Sequence, residues 1–139
     1  MRWVIWTVGS LAVIVAVVAL VGAMLPQNHT ASRTARIAVP PDVLFPRLVQ
    51  MAQAETDPAL QIERQEPPSL LVTRVVPNGA FGGTWTYRLV PAAGGTDLTI
   101  TEDGEVYNVI FRFMSRFVLG HYATMDAFIR SLQAKAAMR

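Results

Sequence analysis

The chain has 139 residues, a net charge of +2 and no cysteine. This length allows one domain and a tail, and the lack of cysteine excludes disulfides and thiolate chemistry. The basic residues are 11 arginines and one lysine with no basic block among them, so the composition does not indicate nucleic-acid binding.

The chain opens with a strongly apolar segment. Residues 3–25 carry no charge, and as a helix they are roughly 35 Å long, enough to cross a hydrocarbon core of about 30 Å. This run is longer than a usual signal core and no polar cleavage region follows it. We therefore favour an uncleaved anchor over residues 1–25 and a single-pass membrane protein. A cleaved signal peptide is the alternative, with Val21-Gly22-Ala23 as a weak cleavage site.

The charges that flank this segment leave its orientation open. Arg2 and the terminal amine lie on one side, and Arg33 and Arg36 lie on the other, so the charge-bias rule nearly cancels. Trp3 and Trp6 would lie at one interface of the bilayer. Membrane lipid is thus the first partner that the sequence predicts.

A polar stretch follows, which we interpret as a linker over residues 26–32, leading to a domain over residues 33–139. The alternation of apolar and polar residues predicts a strand at 33–39. The apolar stripe of residues 42–54 then predicts a helix.

Four more strands are predicted after this helix. Trp85, Tyr87 and Leu89 alternate with polar residues, which is the period of a half-buried strand. Gly79, Gly82 and Gly83 are interpreted as part of a strand-to-strand turn, and Asp103-Gly104 is interpreted as a turn or a bulge. The predicted strands cover residues 60–66, 70–76, 82–90 and 96–106.

The last part of the chain has the period of one long amphipathic helix, predicted from about Val109 to Lys135 with Asn108 as its cap. At 100° per residue its apolar face would contain Ile110, Phe113, Met114, Phe117, His121, Met125, Phe128 and Leu132.

Such a helix must bury its apolar face against the antiparallel sheet, which predicts the α+β class: a curved antiparallel sheet packed on a long C-terminal helix. A cavity can lie between the two layers. Its predicted lining consists of Trp85, Tyr87, Phe113, Phe117, His121 and Met125.

The segments "GGTWTYRLVP", "LTITEDGEVYN" and "IFRFMSRFVLGHYATMDAFIRSL" resemble the START-like superfamily, and within it the SRPBCC or polyketide cyclase/dehydrase-like proteins with an N-terminal membrane segment. The resemblance covers about residues 25–132 and is dense from residue 70 onward. It implies a helix-grip fold with a cavity for a hydrophobic small molecule. Activities in the superfamily include lipid carriage, polyketide ring closure and ligand sensing, so the resemblance supports the fold better than the chemistry.

The chain departs from the family pattern in two places. Family members have a second short helix and further strands after the first helix, whereas only about fifteen residues separate Ala54 from Leu70 here. The chain is therefore shortened in the middle. Val109 stands where relatives often have proline after the capping Asn108.

Three residues are weak catalytic candidates. Glu102 continues the inward face of its strand, where a structural ion pair with Arg74, Arg112 or Arg116 is the main alternative to a general acid. His121 lies on the apolar helix face as a core histidine, a ligand contact or a proton donor. Tyr87 can offer its hydroxyl to a ligand.

No metal site or other cofactor is expected, because His29 is the one other histidine and falls in the predicted linker.

These observations favour a membrane-anchored, non-enzymatic domain that binds or senses a hydrophobic, lipid-like ligand. The first alternative is a polyketide cyclase/dehydratase-like enzyme that uses Tyr87, Glu102 and His121. The second is an interaction or scaffold module whose core leaves no cavity.

Overall fold

The computed structural model describes residues 1–56, 59–76 and 79–138. A long N-terminal helix leads into an antiparallel sheet, and further helices follow the first and the last strand. The helices are α1 Arg2–Met24, α2 Pro41–Ala54, α3 Val109–Met114 and α4 Ala123–Ala137, with a π-helical turn, Ser115–Leu119, between α3 and α4. The strands are β1 Asn28–Ile37, β2 Leu60–Glu66, β3 Leu70–Val75, β4 Phe81–Ala92 and β5 Gly95–Val106.

The N-terminal helix α1 is long and apolar enough to cross a membrane, with a mean hydropathy of 2.7. Length and composition alone do not separate an anchor from a signal sequence at this end of a chain. Gly22, near its C-terminal end, is its one buried residue.

The sheet has five strands in the order β1-β5-β4-β3-β2, and every neighbouring pair is antiparallel. β4 and β5 form a long hairpin that pairs Phe81 with Val106 at one end and Ala92 with Gly95 at the other. The predicted α+β class, with an antiparallel sheet and a C-terminal helix, is confirmed. Among the described residues between α2 and β3, β2 is the one strand.

The core lies between one face of the sheet and the helices α2 and α4. Alternate residues of β3, β4 and β5 point into it, as the period of a strand requires. The helices contribute residues three and four positions apart, which is the spacing of one helix face. The least exposed of these side chains are Leu44, Leu48, Leu71, Leu98, Ile100 and Met125.

Two features of the strands differ from the sequence prediction. β1 begins at Asn28, inside the segment predicted as a linker, because its whole length pairs with β5 from Asn28 opposite Glu105 to Ile37 opposite Thr96. Gly82 and Gly83 lie within β4, and Gly104 lies within β5. The interpretation of Gly82 and Gly83 as turn residues was therefore wrong, and so was that of Gly104 as part of a turn or bulge, because it pairs in regular register on both sides.

The predicted continuous helix over 109–135 was also wrong. Gly120 ends the π-helical turn with φ 74° and ψ 156°, a conformation that is essentially restricted to glycine. The chain restarts as α4 at Ala123, and α4 alone buries its apolar face through Met125, Ile129, Leu132 and Ala136. The Asn108 cap is confirmed, since its side chain accepts hydrogen bonds from the backbone N–H groups of Ile110 and Phe111.

Gly120→Ala is expected to lower the free energy of unfolding by about 1–3 kcal/mol, because a Cβ is strained in this backbone conformation. Urea unfolding followed by Trp85 fluorescence, in a Trp3→Phe/Trp6→Phe background, measures the change. Ser131→Ala on the exposed face of α4 is the control and should stay within about 0.5 kcal/mol. A Gly120→Ala variant as stable as its parent would show that the break does not need glycine.

Candidate functional site

A cavity of about 880 Å³ lies between the sheet and the helices. Its walls come from α2, from the inward faces of β3, β4 and β5, from the segment around the π-helical turn and from the start of α4. The cavity occupies the end of the sheet where β4 begins and β5 ends. The interaction or scaffold alternative requires a core without a cavity, whereas these residues enclose one.

Three of the six predicted lining residues border the cavity, namely Trp85, Tyr87 and His121. The other three lie elsewhere because the helix breaks at Gly120. Met125 is fully buried in the core, and Phe117 is exposed to 57% beyond the break. Phe113 packs against Phe117 with ring centroids 5.0 Å apart.

Glu102 lies in the cavity wall, on the inward face of β5 as predicted, but none of the three predicted arginines contacts its carboxylate. Its Oε1 lies 2.7 Å from His29 Nε2, and its Oε2 accepts a hydrogen bond of 2.5 Å from Trp85 Nε1. An ionised carboxylate only accepts hydrogen bonds, so Nε2 of His29 is the donor when Glu102 is charged. Arg74 pairs with Glu63 instead, and Arg112 donates to the Val106 carbonyl.

The two histidines of the chain meet at this carboxylate. The rings of His29 and His121 are stacked with centroids 4.1 Å apart and planes 24° apart. His29, Glu102, Trp85 and His121 together form what we call the polar cluster, and all four line the cavity. The prediction that His29 lies in a linker was therefore wrong, because it belongs to β1.

Glycine on β5 makes room for this arrangement. His29 lies directly opposite Gly104 in the β1–β5 register, and a Cβ built on Gly104 would overlap the His29 ring. Because Gly104 has no side chain, the imidazole can lie across β5 and reach Glu102, two residues away on the same face. Gly104 thus positions His29 without touching the carboxylate.

His121 is a neutral base at neutral pH. Burial lowers its pKa below the ordinary value, and the nearby His29 and Arg116 lower it further, whereas Glu102 acts in the opposite direction. Tyr87 is a neutral hydroxyl group in the same wall, since burial strongly raises its pKa against the smaller effect of its hydrogen bond with Thr73. The polar groups of the cavity wall therefore include the neutral imidazole of His121, the phenol of Tyr87 and the hydrogen-bonded carboxyl group of Glu102.

Sequence reasoning missed His29 and Gly104. Residues 29 and 102 are 73 positions apart, and no local period links them. The one local signal was a glycine inside a run with strand alternation, which often marks a close approach of another group to the strand. Across residues 1–56, 59–76 and 79–138, no three His, Asp or Glu side chains are grouped as metal ligands.

Because the polar cluster contains both histidines of the chain, its electrostatics can be tested directly by NMR titration. Glu102→Gln is expected to lower the pKa of His121 further, and Arg116→Gln to raise it toward the ordinary value. Asp103→Asn, on the opposite face of β5, is the control and should leave it unchanged. A His121 pKa that ignores both Glu102 and Arg116 would contradict the cluster.

The lowered pKa of His121 also determines the direction in which the stability of the fold changes with pH. The folded protein binds a proton at His121 less readily than the unfolded chain does, so His121 contributes stability that is complete above about pH 6.5 and is lost as the pH falls below it.

Comparison with solved structures identifies the fold. The Mll3558 protein of Rhizobium loti matches with a TM-score of 0.52 at 18% identity, covering 79% of this chain and 96% of that one. An AHSA1-like protein of Rhizobium etli matches with a TM-score of 0.54 at 17% identity, covering 82% and 85%. The di-domain ARO/CYC StfQ from the steffimycin biosynthetic pathway matches with a TM-score of 0.54 at 15% identity, covering 81% of this chain and 52% of that one.

No family model and no curated protein matches the sequence. At these identities the likeness concerns the fold alone. The chain has a helix-grip-like α+β fold, of the kind found in ARO/CYC and AHSA1-like proteins.

Proposed function

We propose that this protein is a membrane-anchored domain that binds a hydrophobic, lipid-like ligand in the cavity between the sheet and the helices. The cavity volume of about 880 Å³ carries the proposal, because pockets for small organic ligands measure about 300–1,000 Å³ and are mostly apolar with a few polar groups. The polar cluster supplies the few polar groups, and the rest of the cavity wall is largely apolar.

The two parts of the wall suit an amphipathic ligand. The apolar part includes Leu48, Met51, Val75 and Phe128, and burial of a chain against it gives roughly 25 cal/mol per Å² of apolar area. The polar cluster can meet a carbonyl, hydroxyl or carboxyl group at the other end of the ligand. Such a group forms hydrogen bonds there that offset the cost of leaving water.

The anchor gives this ligand a source. Residues 25–27 are all that separates α1 from β1, so a membrane-spanning α1 holds the domain against the bilayer. Residues 1–25 would then serve as an uncleaved anchor. The ARO/CYC and AHSA1-like neighbours have the same fold, which supports a cavity protein and leaves the chemistry to the residues of this chain.

Val75→Phe is expected to weaken binding of a dansyl-labelled fatty acid roughly tenfold or more, because the larger side chain occupies space that the ligand needs. Energy transfer from Trp85, in the Trp3→Phe/Trp6→Phe background, reports binding next to the cavity wall. The full chain is assayed in lipid nanodiscs.

Val72→Phe is the matched control, since it makes the same change in β3 on the opposite face of the strand. Equal binding by the two variants, or the absence of saturable energy transfer in the parent, would contradict ligand binding in this cavity.

A second candidate function is that of a polyketide cyclase/dehydratase-like enzyme, and the polar cluster is the observation that favours it. Neutral His121 can take a proton from a carbon between two carbonyl groups. That carbon attacks a carbonyl carbon of the same chain, and the new alkoxide takes up a proton. Loss of one hydroxide and one proton then releases water. Glu102, whose charge favours the protonated form of His121, would stabilise the positive charge that forms on the His121 ring during these steps.

This candidate predicts that a poly-β-ketone thioester incubated with the protein yields a ring-closed product that is one water lighter. Glu102→Gln and His121→Gln should each lower the rate by roughly 10²-fold or more, the contribution of a positioned acid or base. Asp103→Asn should retain the parent rate. Mass spectrometry that finds no cyclised product, or equal rates in all variants, would leave binding as the function.

A further inference from the structure

The end of the sheet that holds the cavity is also the end closest to α1. Four residue steps join Met24, the last residue of α1, to Asn28, the first of β1, and a chain of this length spans at most about 14 Å. Asn28 lies opposite Glu105 of β5, and Glu105 lines the cavity. If α1 spans a bilayer, this end of the domain therefore lies at the bilayer surface.

A second contact ties α1 to the segment beside the cavity. Gly22 is buried, and a Cβ at this position would overlap the backbone carbonyl of Val109, the first residue of α3. Two residues before the end of a helix correspond to a depth of about 3 Å along its axis. The start of α3 is thus held near the level at which α1 leaves the membrane.

The segment that follows this contact exposes an unusual amount of apolar surface. We call residues 109–122 the rim segment. Within it, six large apolar or aromatic side chains are exposed to between 38% and 61%. Large contiguous apolar patches mark interaction sites, and residues 117–119 of this set are consecutive in the chain. The six residues are Ile110, Phe111, Phe117, Val118, Leu119 and Tyr122.

The rim segment also forms the mouth of the cavity. Phe111 and Leu119 are exposed, and both line the cavity, so each has one side toward the surroundings and one toward the interior. Gly120, near the C-terminal end of the rim segment, lines the cavity as well. A ligand that passes this mouth leaves or enters through an apolar surface.

From these positions we infer that the rim segment docks on the lipid bilayer, so that the mouth of the cavity opens to the membrane and not to water. Apolar side chains of the rim enter the boundary between headgroups and acyl chains, as the apolar face of an interfacial helix does. Arg116, exposed beside the Phe117 ring with its guanidinium carbon 5.6 Å from the centroid, lies at the level of the phosphates. This inference rests on the anchor of the proposed function.

Because the chain has no cysteine, single nitroxide labels can be placed without removing any native residue. The full chain is reconstituted into vesicles of phosphatidylcholine and phosphatidylserine, with labels at Phe117→Cys and Leu119→Cys. Power-saturation electron paramagnetic resonance compares the accessibility of each label to oxygen, which concentrates in lipid, and to a water-soluble nickel chelate.

Two control labels calibrate the scale. Val13→Cys lies in the middle of α1. Val90→Cys is an equally aliphatic, 51% exposed position on β4, and it lies about 30 Å along the strand from Phe81 at the cavity end. Labels at 117 and 119 are expected to show an oxygen-to-nickel ratio severalfold above that of Val90→Cys and approaching that of Val13→Cys.

Each other outcome overturns the docking inference, and the outcomes are distinguishable. Water-like ratios at 117 and 119 with a lipid-like ratio at Val13→Cys overturn docking and leave the anchored, ligand-binding function standing. A water-like ratio at Val13→Cys overturns the anchor and the docking together. Dipolar broadening at 117 with low access to both reagents would mean that a second copy of the chain covers the rim.

Discussion

The pairing of β1 with β5 is the constraint on which the rest of the structure depends. Its register sets His29 opposite Gly104, and this position lets the imidazole reach Glu102 and stack on His121. The same pairing begins four residues after the end of α1. The backbone hydrogen bonds between β1 and β5 therefore fix the geometry of the polar cluster. They also limit how far the cavity can lie from α1.

Two glycines allow close packing at the cavity end of the sheet. Across the register, His29 faces Gly104, and Gly104 faces Gly83, so two successive strands lack a side chain at this level. A Cβ on Gly83 would overlap the backbone carbonyl of Asp103. Glycine within a strand weakens it by roughly 0.5–1 kcal/mol relative to alanine, and here that cost makes room for the His29 ring beside Gly104 and for the Asp103 backbone beside Gly83. Two residues along β5, Glu102 lies opposite Trp85. Its carboxylate is hydrogen-bonded to the Trp85 indole N–H and to the His29 ring.

The sequence predicted the features that depend on neighbouring residues, such as strand alternation and helix caps, but not the long-range pairing. The alternation around Trp85 and Tyr87 gave the strand and its inward face, and Asn108 gave the start of α3. The pairing of residues 73 positions apart has no local signature, so the partners of Glu102 could not be predicted. The helical period across 109–135 was a coincidence of composition on both sides of Gly120. The consecutive apolar residues 117–119 cannot all lie on one helix face. Together with the glycine that follows them, they indicated that the helix does not continue through this segment.

The break at Gly120 explains why the cavity stays open. A continuous helix would direct Phe113 and Phe117 toward the sheet, where their rings would fill the space beside Trp85. With the break, α4 covers the core through Met125 and Ile129, while Phe117, Val118 and Leu119 turn outward. Each such side chain left in water forgoes roughly 1.5–3 kcal/mol of burial. In the proposed membrane-anchored arrangement, a bilayer beside α1 would recover this free energy, because acyl chains accept the same side chains that the core leaves out.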